Sequence, residues 1–180
     1  LHFMKKNKAL FLDRDGVINH DYGYVHKIDN FDFIEGIFDL VREAKEKDYL
    51  VIIATNQAGI GRGYYSEKDF MFLMDWVRDE FLLNKGYIDD VYFCPYHPIH
   101  GKGLYRKDSN LRKPKPGMFQ KAARNHEIIL SDSILIGDKT SDIEAGLAAG
   151  IKSNILFSQD EKIHKNKFLT INRIIGAARY

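Results

Sequence analysis

Ala9-Leu10-Phe11-Leu12-Asp13-Arg14-Asp15-Gly16 is the stretch that decides the fold. Its apolar half reads as a strand buried on both faces, the kind that parallel sheets contain. Side chains alternate along an extended chain, so Asp13 and Asp15 point the same way. Like charges that close repel, and one of the pair is a candidate to keep its proton. A carboxylate nucleophile beside a carboxylic acid is what phosphoryl transfer needs. Taken alone, Asp13 to Gly16 also reads as an ordinary turn after a strand, so the rest of the chain has to decide.

Outward from this strand, strand-like and helix-like runs alternate. Residues 36–47 carry Ile37, Leu40, Val41 and Ala44 at helical spacing. A β-rich run over 49–54 ends in Thr55-Asn56-Gln57. A long helix is expected over 66–83, with Ser66 as its cap and Asp69 three positions on. Within it Phe70, Met71, Leu73, Met74, Trp76 and Val77 read as core. Strands are expected at 91–93, 134–136 and 153–157, and helices at 116–125, 140–149 and 171–178. Pro116 suits a helix's first turn, and Gly150 suits a helix stop. This alternation predicts an α/β protein, a three-layer Rossmann-like parallel sheet with helices on both faces. Ligands bind such sheets beyond the carboxyl ends of the strands, and Asp13, Thr55 and Asp138 each follow a strand's last apolar residue.

Composition agrees. The chain has 180 residues, 44% hydrophobic and 29% charged, which suits one soluble domain with a sizeable core. Leu1, His2 and Phe3 precede Met4 and are set aside as an added remnant, leaving 4–180 as one domain. A net charge of +2 gives no argument for nucleic acid or a membrane as partner. The single cysteine excludes an intrachain disulfide and favours a cytoplasmic setting. No apolar run reaches membrane-spanning length.

Further pieces can join Asp13-Arg14-Asp15-Gly16 at one sheet edge. Thr55-Asn56-Gln57 offers a hydroxyl and amides to phosphate oxygens. Arg112-Lys113-Pro114-Lys115-Pro116 is a compact cationic loop stiffened by its prolines. Gly137-Asp138-Lys139-Thr140-Ser141-Asp142 puts acids on a strand-to-helix turn. Alone, each has an ordinary structural reading: a helix cap, a solvated basic loop, a turn. Asp142 in particular reads as a first-turn acid favoured by the helix dipole rather than a metal ligand. His26 reads as a loop hydrogen-bonder and residues 162–167 as solvated surface. Together the pieces supply carboxylates for a divalent cation, a nucleophile, an acid and donors for an anion.

In this order they resemble the motifs of the haloacid dehalogenase-like phosphatases. Asp21-Tyr22-Gly23-Tyr24-Val25-His26, Asn30-Phe31, Thr55-Asn56-Gln57-Ala58-Gly59-Ile60 and Arg112-Lys113-Pro114 resemble the D-glycero-D-manno-heptose 1,7-bisphosphate phosphatase branch. Histidinol-phosphate phosphatases are near relatives. The resemblance implies that Asp13 forms an aspartyl-phosphate and that Asp15 acts first as acid and then as base. It implies Mg²⁺ held by the Asp13 carboxylate, the Asp15 carbonyl and Asp138, with Thr55 and Lys113 on the transferring phosphoryl group. Arg112 and Lys139 and the segment Asp21, Tyr22, Gly23 and Tyr24 would meet substrate, as would Asn56 and Gln57. Arg62, Arg112 and Lys139 are candidates for a second phosphate.

The physics is consistent with those roles. A phosphate monoester repels an anionic nucleophile, and a cation with Lys113 would offset that repulsion. Mg²⁺ prefers oxygen ligands. The branch's zinc loop, by contrast, is mostly missing: Cys94 remains, but Tyr96, Ser109 and Leu111 stand at the other ligand positions. Structural zinc wants four N/S ligands, so zinc is predicted absent. The connections over 16–35 and 98–111 are too short for a large cap domain.

The expected enzyme is therefore a cytoplasmic, monomeric phosphatase of a small phosphorylated sugar. The alternatives are a histidinol-phosphate or other small phosphomonoester phosphatase, and a phospho-accepting signalling module.

Overall fold

The computed structural model describes residues 5–157. The expected helix at 171–178 lies outside the described residues. Five strands, β1 (Lys8–Leu12), β2 (Tyr49–Asn56), β3 (Asp90–Cys94), β4 (Ile134–Gly137) and β5 (Ser153–Leu156), form one sheet in the order β3-β2-β1-β4-β5. Every pairing is parallel. Leu12 lies opposite Ile53 on one side and Ile136 on the other, so three strands end at one edge with β1 in the middle.

Strand alternation sorts the core into two layers. Leu10, Leu12, Val51, Ile53, Ile134 and Ile136 pack with Ile37, Leu40 and Val41 of α1 (Ile37–Glu46) and with Phe70, Met74 and Val77. Ala9, Phe11, Ile52, Ala54 and Leu135 face the other way, toward Met118, Phe119, Ala122 and Ala145. Residues at i and i+2 share a face, so a strand with no polar position needs a helical layer on each side. Between β2 and β3 lie the short α2 (Ala58–Gly61) and the long α3 (Glu67–Leu83). The second layer is α4 (Gly117–His126) and α5 (Thr140–Ala149).

Local chemistry sets the helix ends. Ser66 Oγ accepts from Asp69 N at 3.0 Å while Ser66 N donates to Asp69 Oδ2 at 2.9 Å, a reciprocal cap. Gly150, at φ 85°, ends α5.

The structure departs from the sequence reading in several places. β2 runs on to Asn56, because Thr55 and Asn56 still pair with Phe93 and Cys94 of β3. Thr55 and Asn56 therefore sit in the strand rather than after it. Pro116 precedes the first turn of α4 instead of occupying it; Gly117 N donates to Asn110 O at 2.9 Å. Met71 is exposed on α3, and Trp76 is partly buried against Phe31 and Phe33. The connections after β1 and β3 carry only the short turns Ile28–Asn30 and Gly103–Tyr105, so no large cap covers the sheet edge among the described residues.

Candidate active site

Asp13 stands directly after β1, and its backbone N–H donates to Ile136 O of β4 at 3.0 Å. That bond carries the sheet one residue past the strand and fixes the carboxylate between β2 and β4. Asp138 follows β4, and Asp142 lies in the first turn of α5. One carboxylate oxygen from each of Asp13, Asp138 and Asp142 lies within 4.8 Å of the others.

Lys113 enters this cluster from the loop ahead of α4. Its Nζ is 2.9 Å from Asp13 Oδ1, 2.6 Å from Asp142 Oδ1 and 2.8 Å from Ala54 O. Its backbone is clamped by Asn56, whose Oδ1 accepts from Lys113 N and whose Nδ2 donates to Lys113 O, both at 3.1 Å. The Asn56 amide is thus spent on placing the lysine. Burial pushes the Asp13 carboxyl up to about 8, against the pull of Lys113 and with Asp142 and Asp138 adding to the rise. Burial likewise raises Asp138.

The cluster suits a hard divalent cation. Its donors are all oxygens, the ligand set that Mg²⁺ prefers. Asp138 Oδ1 is buried without a hydrogen-bond partner, and a buried acceptor left unpaired is costly. Gly16, at φ +87°, keeps room there, since a Cβ at that position would lie 2.2 Å from Asp138 Oδ2. Asp13, Asp138 and Asp142 could hold such an ion.

Asp15 projects beside the cluster. Its Oδ1 takes Arg14 Nη2 at 2.6 Å and Asn19 Nδ2 at 3.0 Å, and its Oδ2 takes Gln57 Nε2 at 3.1 Å. Arg14 is fully buried, with its guanidinium near the faces of Phe31 and Phe70. Thr55 is buried and its Oγ1 accepts from Gln57 Nε2 at 2.9 Å. A cleft of about 520 Å³ opens over these groups. Asp15, Asn56, Gln57, Tyr65 and Lys113 line it, as do Asp21, Gly23, Tyr24, Arg62, Arg112 and Lys139. Lys139 Nζ stands 3.8 Å from Asp21 Oδ2.

Tyr22 is not brought to this cleft. Its hydroxyl donates to Asp32 Oδ2 at 2.7 Å, its ring stacks on His20, and it borders a neighbouring depression with Tyr24 and Tyr64. His26 bonds Tyr24 O at 2.8 Å through Nδ1, a loop contact. Cys94 is buried, and its thiol donates to Tyr96 O.

Sequence reasoning missed Asp142's second task. As expected, it is a first-turn acid, with Oδ2 accepting from Asp138 N and Lys139 N at 3.1 and 3.0 Å. Its other oxygen faces Lys113. The available signal was its place four residues after Asp138 on the same turn. Arg14 and Asn19, holding Asp15, were also missed; only the folded loop shows where their side chains go.

Comparison with known proteins agrees with this geometry. A family model described as "HAD-hyrolase-like" matches residues 110–162. A Burkholderia mallei protein named D-glycero-alpha-D-manno-heptose-1,7-bisphosphate 7-phosphatase is 55% identical over 84% of this chain and 80% of its own. A Haemophilus influenzae protein named for the beta anomer is 47% identical over 83% and 81%. Among solved structures, a Mesorhizobium loti protein described as HAD-like superposes with a TM-score of 0.87 at 28% identity, covering 98% of this chain and 89% of that one. The D,D-heptose 1,7-bisphosphate phosphatase from B. bronchiseptica, complexed with magnesium and phosphate, gives a TM-score of 0.74 at 29% identity over 83% and 79%. On this identity and coverage, the chain belongs to the heptose-1,7-bisphosphate 7-phosphatase family of haloacid dehalogenase-like enzymes.

Proposed function

We propose that residues 4–180 act as a single Mg²⁺-dependent phosphatase domain that removes the 7-phosphate of D-glycero-D-manno-heptose 1,7-bisphosphate. The observation that carries the reading is the buried Lys113 ammonium set between Asp13 and Asp142 beneath the cleft. The names of the relatives at 47–55% identity support the substrate.

In this reading Asp13 attacks phosphorus. The bond from its carboxylate oxygen to phosphorus forms as the bond from phosphorus to the sugar oxygen breaks. Asp15 gives its proton to the departing alkoxide and later takes one from the water that cleaves the aspartyl-phosphate, releasing inorganic phosphate. Lys113 and the Thr55 hydroxyl meet the phosphoryl oxygens. Mg²⁺, when bound, supplies positive charge against the developing negative charge. Asp13 and Asp138, the Asp15 carbonyl and now Asp142 are the groups assigned to it. Arg112, Arg62 and Lys139 face the far phosphate, with Asp21, Gly23 and Tyr24 along the sugar. Asn56 and Gln57 act from behind, through Lys113 and Asp15.

The finer reading is of a zinc-free cytoplasmic monomer. Ser109 Oγ accepts from Leu111 N at 3.1 Å, and Leu111 packs on the second core layer, so these residues tie down the loop themselves. No helix among the described residues is long and apolar enough to cross a membrane.

A phosphate-release panel tests the proposal. It would contain the α and β heptose bisphosphates, histidinol phosphate and fructose bisphosphate, each with Mg²⁺ and with chelator. The expected result is Mg²⁺-dependent release from a heptose bisphosphate, leaving the 1-phosphate as judged by phosphorus NMR. Preferential turnover of histidinol phosphate would replace the substrate. A long-lived phosphorylated Asp13 without turnover would indicate a signalling module.

A further inference from the structure

We propose that Tyr65 is a positioning residue of this phosphatase, locking the Gln57 amide so that its nitrogen faces Asp15 and Thr55. The inference rests on the phosphatase reading above, in which Asp15 transfers the proton.

The two ends of a primary amide have nearly the same shape, so hydrogen-bond partners decide which end points where. Gln57 is buried, and its Nε2 donates to Asp15 Oδ2 at 3.1 Å and to Thr55 Oγ1 at 2.9 Å. Its Oε1 accepts from the Tyr65 hydroxyl at 2.5 Å. Turned over, the amide would set its carbonyl oxygen against the Asp15 carboxylate. Tyr65 is what gives Oε1 a reason to face the other way. The phenol is suited to this task because burial pushes it up to about 12, so it keeps its proton.

Asp15 makes the orientation matter. Arg14 and Asn19 occupy its Oδ1, and Gln57 holds Oδ2. A swing of the amide would release that oxygen and the Thr55 hydroxyl together. Two neighbours seat the Tyr65 ring. Gly59 leaves space for it, since a Cβ there would fall 2.3 Å from Tyr65 Cε1. His26 stacks on it with ring centroids 4.8 Å apart and planes 7° from parallel. His26 belongs to the segment that also brings Gly23 and Tyr24 to the cleft. Tyr65 lines the cleft as well, and its hydroxyl joins that segment to the proton-transfer group through Gln57.

A double-mutant cycle tests this, using the sugar phosphate that wild type turns over fastest. Tyr65→Phe removes only the hydroxyl. It is expected to lower kcat about tenfold with KM within about twofold, the pattern of an interaction acting in the transition state. Gln57→Leu is expected to cost more. Tyr65→Phe added to Gln57→Leu is expected to cost less than about a further twofold, because residues acting through one another are not additive. Gly59→Ala, which displaces the ring but keeps the hydroxyl, is expected to match the Tyr65→Phe loss. The inference is overturned if Tyr65→Phe keeps kcat within twofold of wild type, or if its effect multiplies undiminished with that of Gln57→Leu. Wild type that turns over no phosphoester would instead remove the phosphatase reading itself.

Discussion

Asp142 caps α5 with one carboxylate oxygen and holds the Lys113 ammonium at 2.6 Å with the other. One side chain therefore joins the start of a helix to the buried cation of the site. Backbone N–H groups at a helix start carry partial positive charge, so Oδ2 is held on the positive end of α5 while Oδ1 is left to face the lysine. The arrangement also explains Gly137, where a Cβ would lie 2.2 Å from the Asp142 Cβ.

Substitution at Asp142 separates these tasks. An Asn here can still accept the Asp138 and Lys139 N–H groups through its Oδ1, so Asp142→Asn should keep the helix start and lose the charge facing Lys113. Asp142→Ala loses both. The alanine variant is expected to be destabilised by roughly 2–4 kcal/mol, combining a lost cap with a weakened buried pair. The asparagine variant should lie between it and wild type. Melting temperatures of both variants and wild type check this; an asparagine variant as stable as wild type would show that the charge contributes nothing to stability.

Asp13→Asn should abolish turnover while leaving the protein folded. The substitution keeps shape and removes the nucleophile, and Asp13 already sits where burial disfavours its charge. A loss on the order of 10³-fold or more in kcat is expected, with an unchanged circular dichroism spectrum. Turnover near wild type would rule out covalent catalysis at this position.

Mg²⁺ affinity should rise with pH and level off above about 8. Asp13 is raised from 3.8 in the free amino acid's range to about 8 in the fold, chiefly by burial. Between those values the metal-free folded protein holds a proton that the unfolded chain has released. Its stability therefore falls as pH increases through that window. A cation displaces the proton, so binding below pH 8 should release it. The check is the rise in melting temperature on adding Mg²⁺ at pH 5.5, 7 and 8.5, expected to grow along the series. Protection independent of pH would remove Asp13 from the ligand set.

Gly16→Ala should weaken Mg²⁺ binding more than it weakens the fold. The new methyl meets the Asp138 carboxylate at 2.2 Å, on a backbone whose φ of +87° disfavours any side chain. Isothermal titration should show affinity reduced at least about tenfold, equivalent to roughly 1.4 kcal/mol. Wild-type affinity would mean that Asp138 moves aside freely and does not fix the ion.

The sequence by itself determined the parallel sheet and the edge at which the site lies. Unbroken apolar runs that give way to Asp13, Thr55 or Asp138 leave little freedom, because a strand with no polar face must be covered on both sides and its polar end must meet the cleft. Helix ends were equally local: Ser66 and Asp69 cap each other within one turn, and Gly150 stops α5 without a distant partner. What only the tertiary structure decided was the use of each polar group once packed. Asn56 and Gln57 read as groups for substrate, yet their amides turn to Lys113 and to Asp15, Thr55 and Tyr65. Tyr22 sits between residues of the cleft in sequence but bonds Asp32 outside it. A hydrogen bond between positions 100 residues apart leaves no periodic trace along the chain, and burial alone decides that such groups must pair with one another instead of with water.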